Sequence, residues 1–263
     1  MHTLLTIADG FGDSRSNPSW YPDFFKWPEI IGLMTKGVEI VNYSQYGAGN
    51  EYIIHCLKEN VYNKNIVLVQ WAMPNRLDLL LAHDAQNSKF WQDTIADDPV
   101  YNTNVHKLGE NEFWLSSDTV SVAVNEYNQK FISVTQHQLR SQLYIEYAKL
   151  LLEQHQIDYK FMLTQTSQYL ASVMPIGNNW VWHDPWRGMD EFRLYSDFCE
   201  LDFGLAQPIS LIHYDFIKKF IVPSVNLPWR SDREIAAVES MLYRKYKQAL
   251  QLRPNDSYPR PHR

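Results

Sequence analysis

The chain has 263 residues, of which 45% are hydrophobic and 14% aromatic, so it can bury one sizeable core. Its formal net charge of −6 argues against a general nucleic-acid binder, which would carry an excess of lysine and arginine. The two cysteines, Cys56 and Cys199, make neither a disulfide framework nor a zinc site.

Neither a secretion signal nor a membrane span is indicated by the sequence. Residues 1–10 lack the basic start and the long apolar run of a signal peptide. No apolar stretch reaches the roughly 20 residues that a transmembrane helix needs. We therefore expect a soluble protein that is cytoplasmic at synthesis and has no membrane partner.

The first third of the chain alternates short apolar runs with amphipathic segments. The apolar runs Leu4–Ala8, Val38–Tyr43 and Ile66–Ala72 predict three buried strands. Trp27–Met34 and Glu51–Glu59 predict two helices between them. Strand, helix, strand, helix, strand at this spacing predicts a parallel sheet with right-handed crossovers.

The middle of the chain is less regular. Residues 82–133 are polar and aromatic with weak periodicity, and they predict an insertion or lid with some helix. Thr135–Gln154 predicts a long amphipathic helix, and Asp158–Thr164 predicts a fourth strand. One face of this helix has the apolar stripe with which such helices pack on a core. The stripe consists of Leu139, Leu143, Tyr147, Leu150 and Leu151.

The last third ends in a strong helix signal. Asn178–Phe203 is Trp-rich and reads as loop, while Ile209–Ile221 fits either strand or helix. Ser231–Leu252 predicts a helix, with Ser231 as its N-cap and Glu234 as the capping-box partner. The tail, residues 253–263, contains three prolines and predicts irregular structure. We expect a single domain over residues 1–263.

Polar residues follow each of the three predicted strands. Ser14, in a Gly-Asp-Ser tripeptide, follows the first strand. The glycine-rich turn at Gly47 follows the second, where backbone amides can approach an oxyanion and Asn50 adds a side-chain donor. Asn75 and Arg76 follow the third, at the sheet edge where open α/β sheets bind ligands. Each element alone also fits a common local structure: a serine cap, an asparagine N-cap or an ordinary loop.

Together these three elements resemble the first three sequence blocks of SGNH (GDSL-type) hydrolases. The closer resemblance is to SGNH-like proteins of tailed bacteriophages, which have a Trp-Pro helix, a GAxN turn and a strand ending in Gln-Trp. The matching residues are Trp27-Pro28, Gly47–Asn50 and Gln70-Trp71. The resemblance covers the first quarter of the chain well and the region to Thr166 loosely.

The resemblance implies a flavodoxin-like three-layer α/β/α sandwich and ester hydrolysis without a metal or cofactor. Ser14 would attack an acyl carbonyl, a histidine would accept its proton, and an aspartate would orient that histidine. The N–H groups of Ser14 and Gly47 and the side chain of Asn50 or Asn75 would form the oxyanion hole. Arg76 would help to bind the substrate.

The sequence departs from the family pattern at the nucleophile and at the base. If the first strand runs directly into the motif, Gly10 takes the place of the nucleophile; Ser14 fits if the loop is four residues longer. The family ends in an Asp and a His about three residues apart, whereas the tail offers Asp256 and His262 six apart. The other candidate pairs are His183-Asp184 and His213–Asp215.

Two functions follow from the resemblance. One is an esterase or deacetylase that acts on an acylated small molecule or an acylated glycan. The other is a catalytically degenerate SGNH-like protein that serves as a structural or binding component of a phage particle, with other particle proteins as partners and the virion as its location. An oligomer is compatible with either. Trp91, Trp180, Trp182 and Trp186 suit an interface or sugar stacking, or the packing of the insertion.

Overall fold

The computed structural model of this chain describes residues 2–8, 25–45, 48–72, 78–82, 105–108, 112–116, 133–163, 180–182 and 210–252. The strands are β1 (His2–Ile7), β2 (Val38–Asn42), β3 (Ile66–Trp71), β4 (Asp78–Ala82), β5 (Val105–Leu108), β6 (Glu112–Ser116), β7 (Asp158–Leu163) and β8 (Trp180–Trp182). The helices are α1 (Trp27–Met34), α2 (Asn50–Asn60), α3 (Val134–Gln154), α4 (Ser210–Phe216), a π-helical turn (Ile217–Ile221) and α5 (Asp232–Leu252).

Five strands form one parallel sheet in the order β2-β1-β3-β7-β8. Counted along this sheet, the order is 2-1-3-4-5, which is the flavodoxin-like order. The chain leaves β1 in one direction to form β2 and then crosses back to form β3. The topological switch point therefore lies between the carboxyl ends of β1 and β3, where such sheets bind ligands.

Helices cover both faces of this sheet. Alternate side chains of each strand point to opposite faces, so Leu4 packs with α1, α4 and α5 while Leu5 packs with α2 and α3. All six residues of β3 are buried, because a strand covered on both faces has no solvent side. This three-layer α/β/α arrangement confirms the predicted fold class.

Local signals set several element boundaries. Helix α1 begins at Trp27, and the backbone N–H of Lys26 donates to the Glu29 carboxylate at 2.8 Å. The Ser231 N–H donates in the same way to Glu234 at 2.9 Å ahead of α5. The predicted capping partner of Ser231 is thus confirmed. The described part of the ambiguous segment Ile209–Ile221, residues 210–221, is helical.

Two segments contain strands that the sequence does not predict. Trp180–Trp182 forms the edge strand β8, paired with Phe161–Leu163, where the sequence predicts loop. A three-residue strand is too short to show an alternating pattern. Strands β4, β6 and β5 form a separate antiparallel sheet, and β5 and β6 lie within residues 82–133. The helix expected in that region stays a prediction, since most of it lies outside the described residues. The predicted loop Phe11–Pro22 and the tail 253–263 lie outside the described residues.

The predicted buried face of α3 is wrong at four of its five positions. Leu139, Leu143, Tyr147 and Leu150 are 55%, 69%, 45% and 64% exposed, and only Leu151 is buried. The face against the sheet is different and contains His137, Ser141, Ile145, Ala148 and Leu152. One polar member of this face, Ser141, accepts a hydrogen bond from Asn50 of α2.

Within the described residues, no helix is long and apolar enough to cross a membrane.

Candidate functional site

Of the predicted site residues, the structure describes Asn50 and the alternative pair His213–Asp215. Ser14, Gly47, Asn75, Arg76, Asp256 and His262 lie outside the described residues, as do Gly10 and the pair His183-Asp184. These residues stay predictions. The geometry of the candidate site is therefore built from the described residues that precede and follow them in the chain.

The chain after β2 runs beside the carboxyl end of β1. The Tyr43 N–H donates to the Thr6 carbonyl at 2.9 Å, and the Gln45 N–H donates to the Ala8 carbonyl at 2.9 Å. Pairing with β1 thus continues past the end of β2. The Ala48 N–H then donates to the Gln45 carbonyl at 3.1 Å as the chain approaches α2. Ala8 and Gln45 are therefore neighbours. Ala8 precedes the predicted serine loop, and Gln45 precedes Gly47 by two residues.

Helix α2 begins at the same edge of the sheet. Gly49 is its N-cap in an extended conformation, and Asn50 is its first helical residue. The alternative reading of Asn50 as an N-cap is therefore wrong. Because α2 runs from this edge, its first backbone N–H groups are at the carboxyl end of the sheet.

The Asn50 carboxamide is buried, and both of its amide hydrogens are donated in hydrogen bonds. Its Oδ1 accepts from the Ala72 N–H at 2.9 Å, and its Nδ2 donates to the Ala72 carbonyl at 3.2 Å and to Ser141 Oγ at 3.0 Å. An amide nitrogen has two hydrogens, and both are donated here. To act as an oxyanion donor, Asn50 would have to give up one of these bonds.

A polar ridge on α3 faces the start of α2. We use "α3 polar ridge" for His137, Arg140, Ser141 and Tyr144, which recur at the three- and four-residue spacing of one helix face. Arg140 forms an ion pair with Glu51, and the Tyr144 hydroxyl donates to the Glu51 carboxylate at 2.9 Å. Sequence reasoning missed this ridge, although its spacing is visible opposite the exposed leucines.

His137 is the member of the ridge nearest the start of α3. It is 6% exposed and lies one turn before Ser141, towards the carboxyl edge of the sheet. Burial lowers the pKa of His137 below the ordinary value of a histidine, because an imidazolium loses hydration there. His137 is therefore neutral at neutral pH, the form in which an imidazole can accept a proton or a hydrogen bond.

A second buried histidine lies on the opposite face of the sheet. His213, from the candidate pair His213–Asp215, is fully buried in α4, whereas Asp215 is half-buried. The start of α4 is hydrogen-bonded to the chain segment before α1, since Ser210 Oγ accepts from the Phe25 N–H at 2.9 Å. The structure does not test a catalytic role for this pair, which stays a prediction.

Among the residues that the structure describes, no group of three or more His, Cys, Asp or Glu side chains could hold a metal ion.

Comparisons with known proteins give a distant likeness in structure alone. No model of a protein family matches the sequence, and no curated protein matches it. Similar solved structures include two catalytic mutants of Axe2, an acetylxylan esterase from Geobacillus stearothermophilus, with TM-scores of 0.46 and 0.45 and 10% identity each.

A further mutant of Axe2, described as an acetyl-xylooligosaccharide esterase, has a TM-score of 0.45 and 12% identity. Each of the three matches covers 88% of this chain and 97% of the other. A likeness at this level says nothing about activity or substrate. The α/β/α architecture rests on the strand order and the two helical layers of this chain itself.

Proposed function

We propose that this chain is an SGNH-type serine ester hydrolase, an esterase or deacetylase that acts on an acylated small molecule or an acylated glycan. One observation supports it most: the chain segments that lead into the three predicted site elements meet at one edge of the sheet. Gln45 is hydrogen-bonded to Ala8, and Asn50 is hydrogen-bonded to Ala72. Ser14, Gly47 and Asn75 follow these neighbouring residues within a few positions.

In this proposal Ser14 Oγ attacks the acyl carbonyl of the ester. His262, oriented by Asp256, takes the proton from Ser14 and gives it to the departing alcohol. Water then hydrolyses the acyl-enzyme and restores the serine. The backbone N–H groups of Ser14 and Gly47 stabilise the negative charge on the carbonyl oxygen.

The side-chain donor of the oxyanion hole is Asn75 rather than Asn50. Both hydrogens of the Asn50 amide are donated to Ala72 and Ser141, so neither is available to the substrate. Asn75 follows Ala72 by three residues in the sequence, and Ala72 is the first residue after β3. Arg76 is the neighbouring substrate-binding residue.

Ester hydrolysis and covalent labelling test the proposal. We expect the chain to hydrolyse p-nitrophenyl acetate and to react with a fluorophosphonate probe, and Ser14→Ala to lower kcat by roughly a thousandfold or more and to abolish labelling. Ser16→Ala, in the same part of the sequence, is the matched control and should keep both. Equal activity in Ser14→Ala would overturn the proposal. His262→Asn, beside His183→Asn and His213→Asn, identifies the base.

The alternative is a non-catalytic SGNH-like protein of a phage particle. It gives the opposite result in the same assays: no hydrolysis, no labelling, and co-purification with other particle proteins.

A further inference from the structure

Among the described residues, the strand pairing of β3 stops before Ala72, the residue that leads towards Asn75. Pairing of β3 with β1 ends at Val69, and pairing with β7 ends at Trp71. Ala72 is the next residue, and its N–H and carbonyl are both bonded to the Asn50 carboxamide. The side chain of a helix residue thus pairs with Ala72 as the peptide group of a neighbouring strand would.

The Asn50 carboxamide works in this way in one orientation only. If the amide were turned over, its nitrogen would face the Ala72 N–H and its oxygen would face the Ala72 carbonyl, and both contacts would become repulsive. Ser141 Oγ accepts the second Nδ2 hydrogen at 3.0 Å, so that hydrogen is not left unpaired. Both side chains are 3% exposed, and water cannot substitute for the bond without entering the core.

Helix α3 holds the Ser141 hydroxyl in place. The next residue of α2, Glu51, binds Arg140 and Tyr144, which flank Ser141 on the α3 polar ridge. These contacts fix the start of α2 against α3. The position of Ala72 is therefore set by a chain of bonds that runs from α3 through Asn50.

We propose that Asn50 and Ser141 are positioning residues, which hold the end of β3 so that Asn75 meets the oxyanion. This inference rests on the proposed esterase function. Oxyanion stabilisation is realised in the transition state, so loss of positioning lowers kcat and leaves KM nearly unchanged. Displacements of a donor by an ångström or less are enough to weaken such catalysis.

The test compares four variants of the full chain in hydrolysis of p-nitrophenyl acetate. Ser141→Ala removes the acceptor, Ser141→Thr keeps a hydroxyl, and Asn50→Asp keeps the size of the side chain but loses both donated hydrogens. Ser240→Ala is the control, because the Ser240 hydroxyl donates to a carbonyl on the exposed side of α5. Amide hydrogen exchange at Ala72 provides a readout that does not depend on activity.

We expect Ser141→Ala to lower kcat about tenfold with KM within about twofold, as for other residues that orient a catalytic group. Asn50→Asp should lower kcat further, and both should speed exchange at Ala72. Ser141→Thr should recover most of the lost kcat, and Ser240→Ala should match the unaltered chain.

Two results would overturn the inference while the proposed function stands. One is unchanged kcat and unchanged Ala72 exchange in Ser141→Ala. The other is a loss of kcat that follows a drop in Tm and is not recovered in Ser141→Thr, which would mean a purely structural bond. An unaltered chain that neither hydrolyses the ester nor reacts with the fluorophosphonate would instead overturn the proposed function, and this inference with it.

Discussion

Helix α3 has two faces that differ in composition and in surroundings. The face against the sheet changes along its length: His137 and Ser141 are near the carboxyl edge, and Ile145, Ala148 and Leu152 follow towards the other end. The solvent face includes three leucines and a tyrosine, all of them exposed. Burial on this helix is therefore decided by the partners that the sheet and α2 provide, and not by the number of apolar side chains on a face.

The buried face of α3 has an apolar part and a polar part with different contacts. Its apolar part stabilises the fold, since Ile145 packs in the core formed by β1, β3, β7 and α2. Its polar part contacts the start of α2, since Ser141 Oγ accepts a hydrogen bond from Asn50 there. Substitutions on this helix should therefore differ in effect. A change in the apolar part should lower stability, a change at His137 should alter the pH dependence of stability, and a change on the solvent face should have almost no effect.

The largest effect is expected for Ile145→Ala. Ile145 is fully buried, and the substitution removes apolar contacts and leaves a cavity. We expect the free energy of unfolding to fall by about 2–5 kcal/mol, measured by chemical denaturation. A loss below about 1 kcal/mol would mean that α3 does not pack on the sheet at this position.

An intermediate effect is expected for His137 as the pH falls. Its pKa is lowered in the folded chain, so the unfolded chain binds the proton more readily between the folded value and the ordinary value of 6.5. The stability that depends on neutral His137 is fully present above pH 6.5 and decreases as the pH falls below it.

Denaturation of the original chain and of His137→Gln between pH 5 and pH 7.5 measures this effect. The difference in stability between the two should shift in favour of His137→Gln as the pH decreases. A pH-independent difference would show that His137 is not desolvated in the folded chain.

The smallest effect is expected for Leu143→Lys on the solvent face. Leu143 is 69% exposed, so a charged side chain at this position stays hydrated. We expect the free energy of unfolding to change by no more than about 0.5 kcal/mol, measured under the conditions used for Ile145→Ala. A loss comparable to that of Ile145→Ala would reverse the assignment of the two faces.

The strands and helices near the start of the chain were predictable because their signals are local. The apolar run of β3 and the Trp-Pro start of α1 each identify an element without reference to the rest of the chain. The buried face of α3 was not predictable in this way. Four apolar residues at helical spacing give a stronger apolar pattern than Ile145, Ala148 and Leu152. The sequence of α3 alone does not indicate where α2 lies, and so does not indicate which face α2 covers.

The candidate site was predictable to a smaller extent. Its location at the carboxyl edge follows from strand order, which the alternation of elements predicts. The pairing of Asn50 with Ala72 and Ser141 joins residues 22 and 91 positions apart, and no local pattern indicates it. The roles of Ser14, Asn75 and His262 stay predictions from the resemblance to SGNH hydrolases.

The pairing of β3 with β7 has a consequence for how the chain can change. Ile66 pairs with Asp158, about ninety positions later, so the sheet closes a long stretch of chain that contains residues 82–133. The entropy of closing such a loop varies slowly with its length, and doubling the loop costs only about 0.6 kcal/mol. A change in length between β4 and α3 leaves Asn75 and Arg76 in place, and it should therefore cost little loop-closure entropy while the register of the parallel sheet is kept.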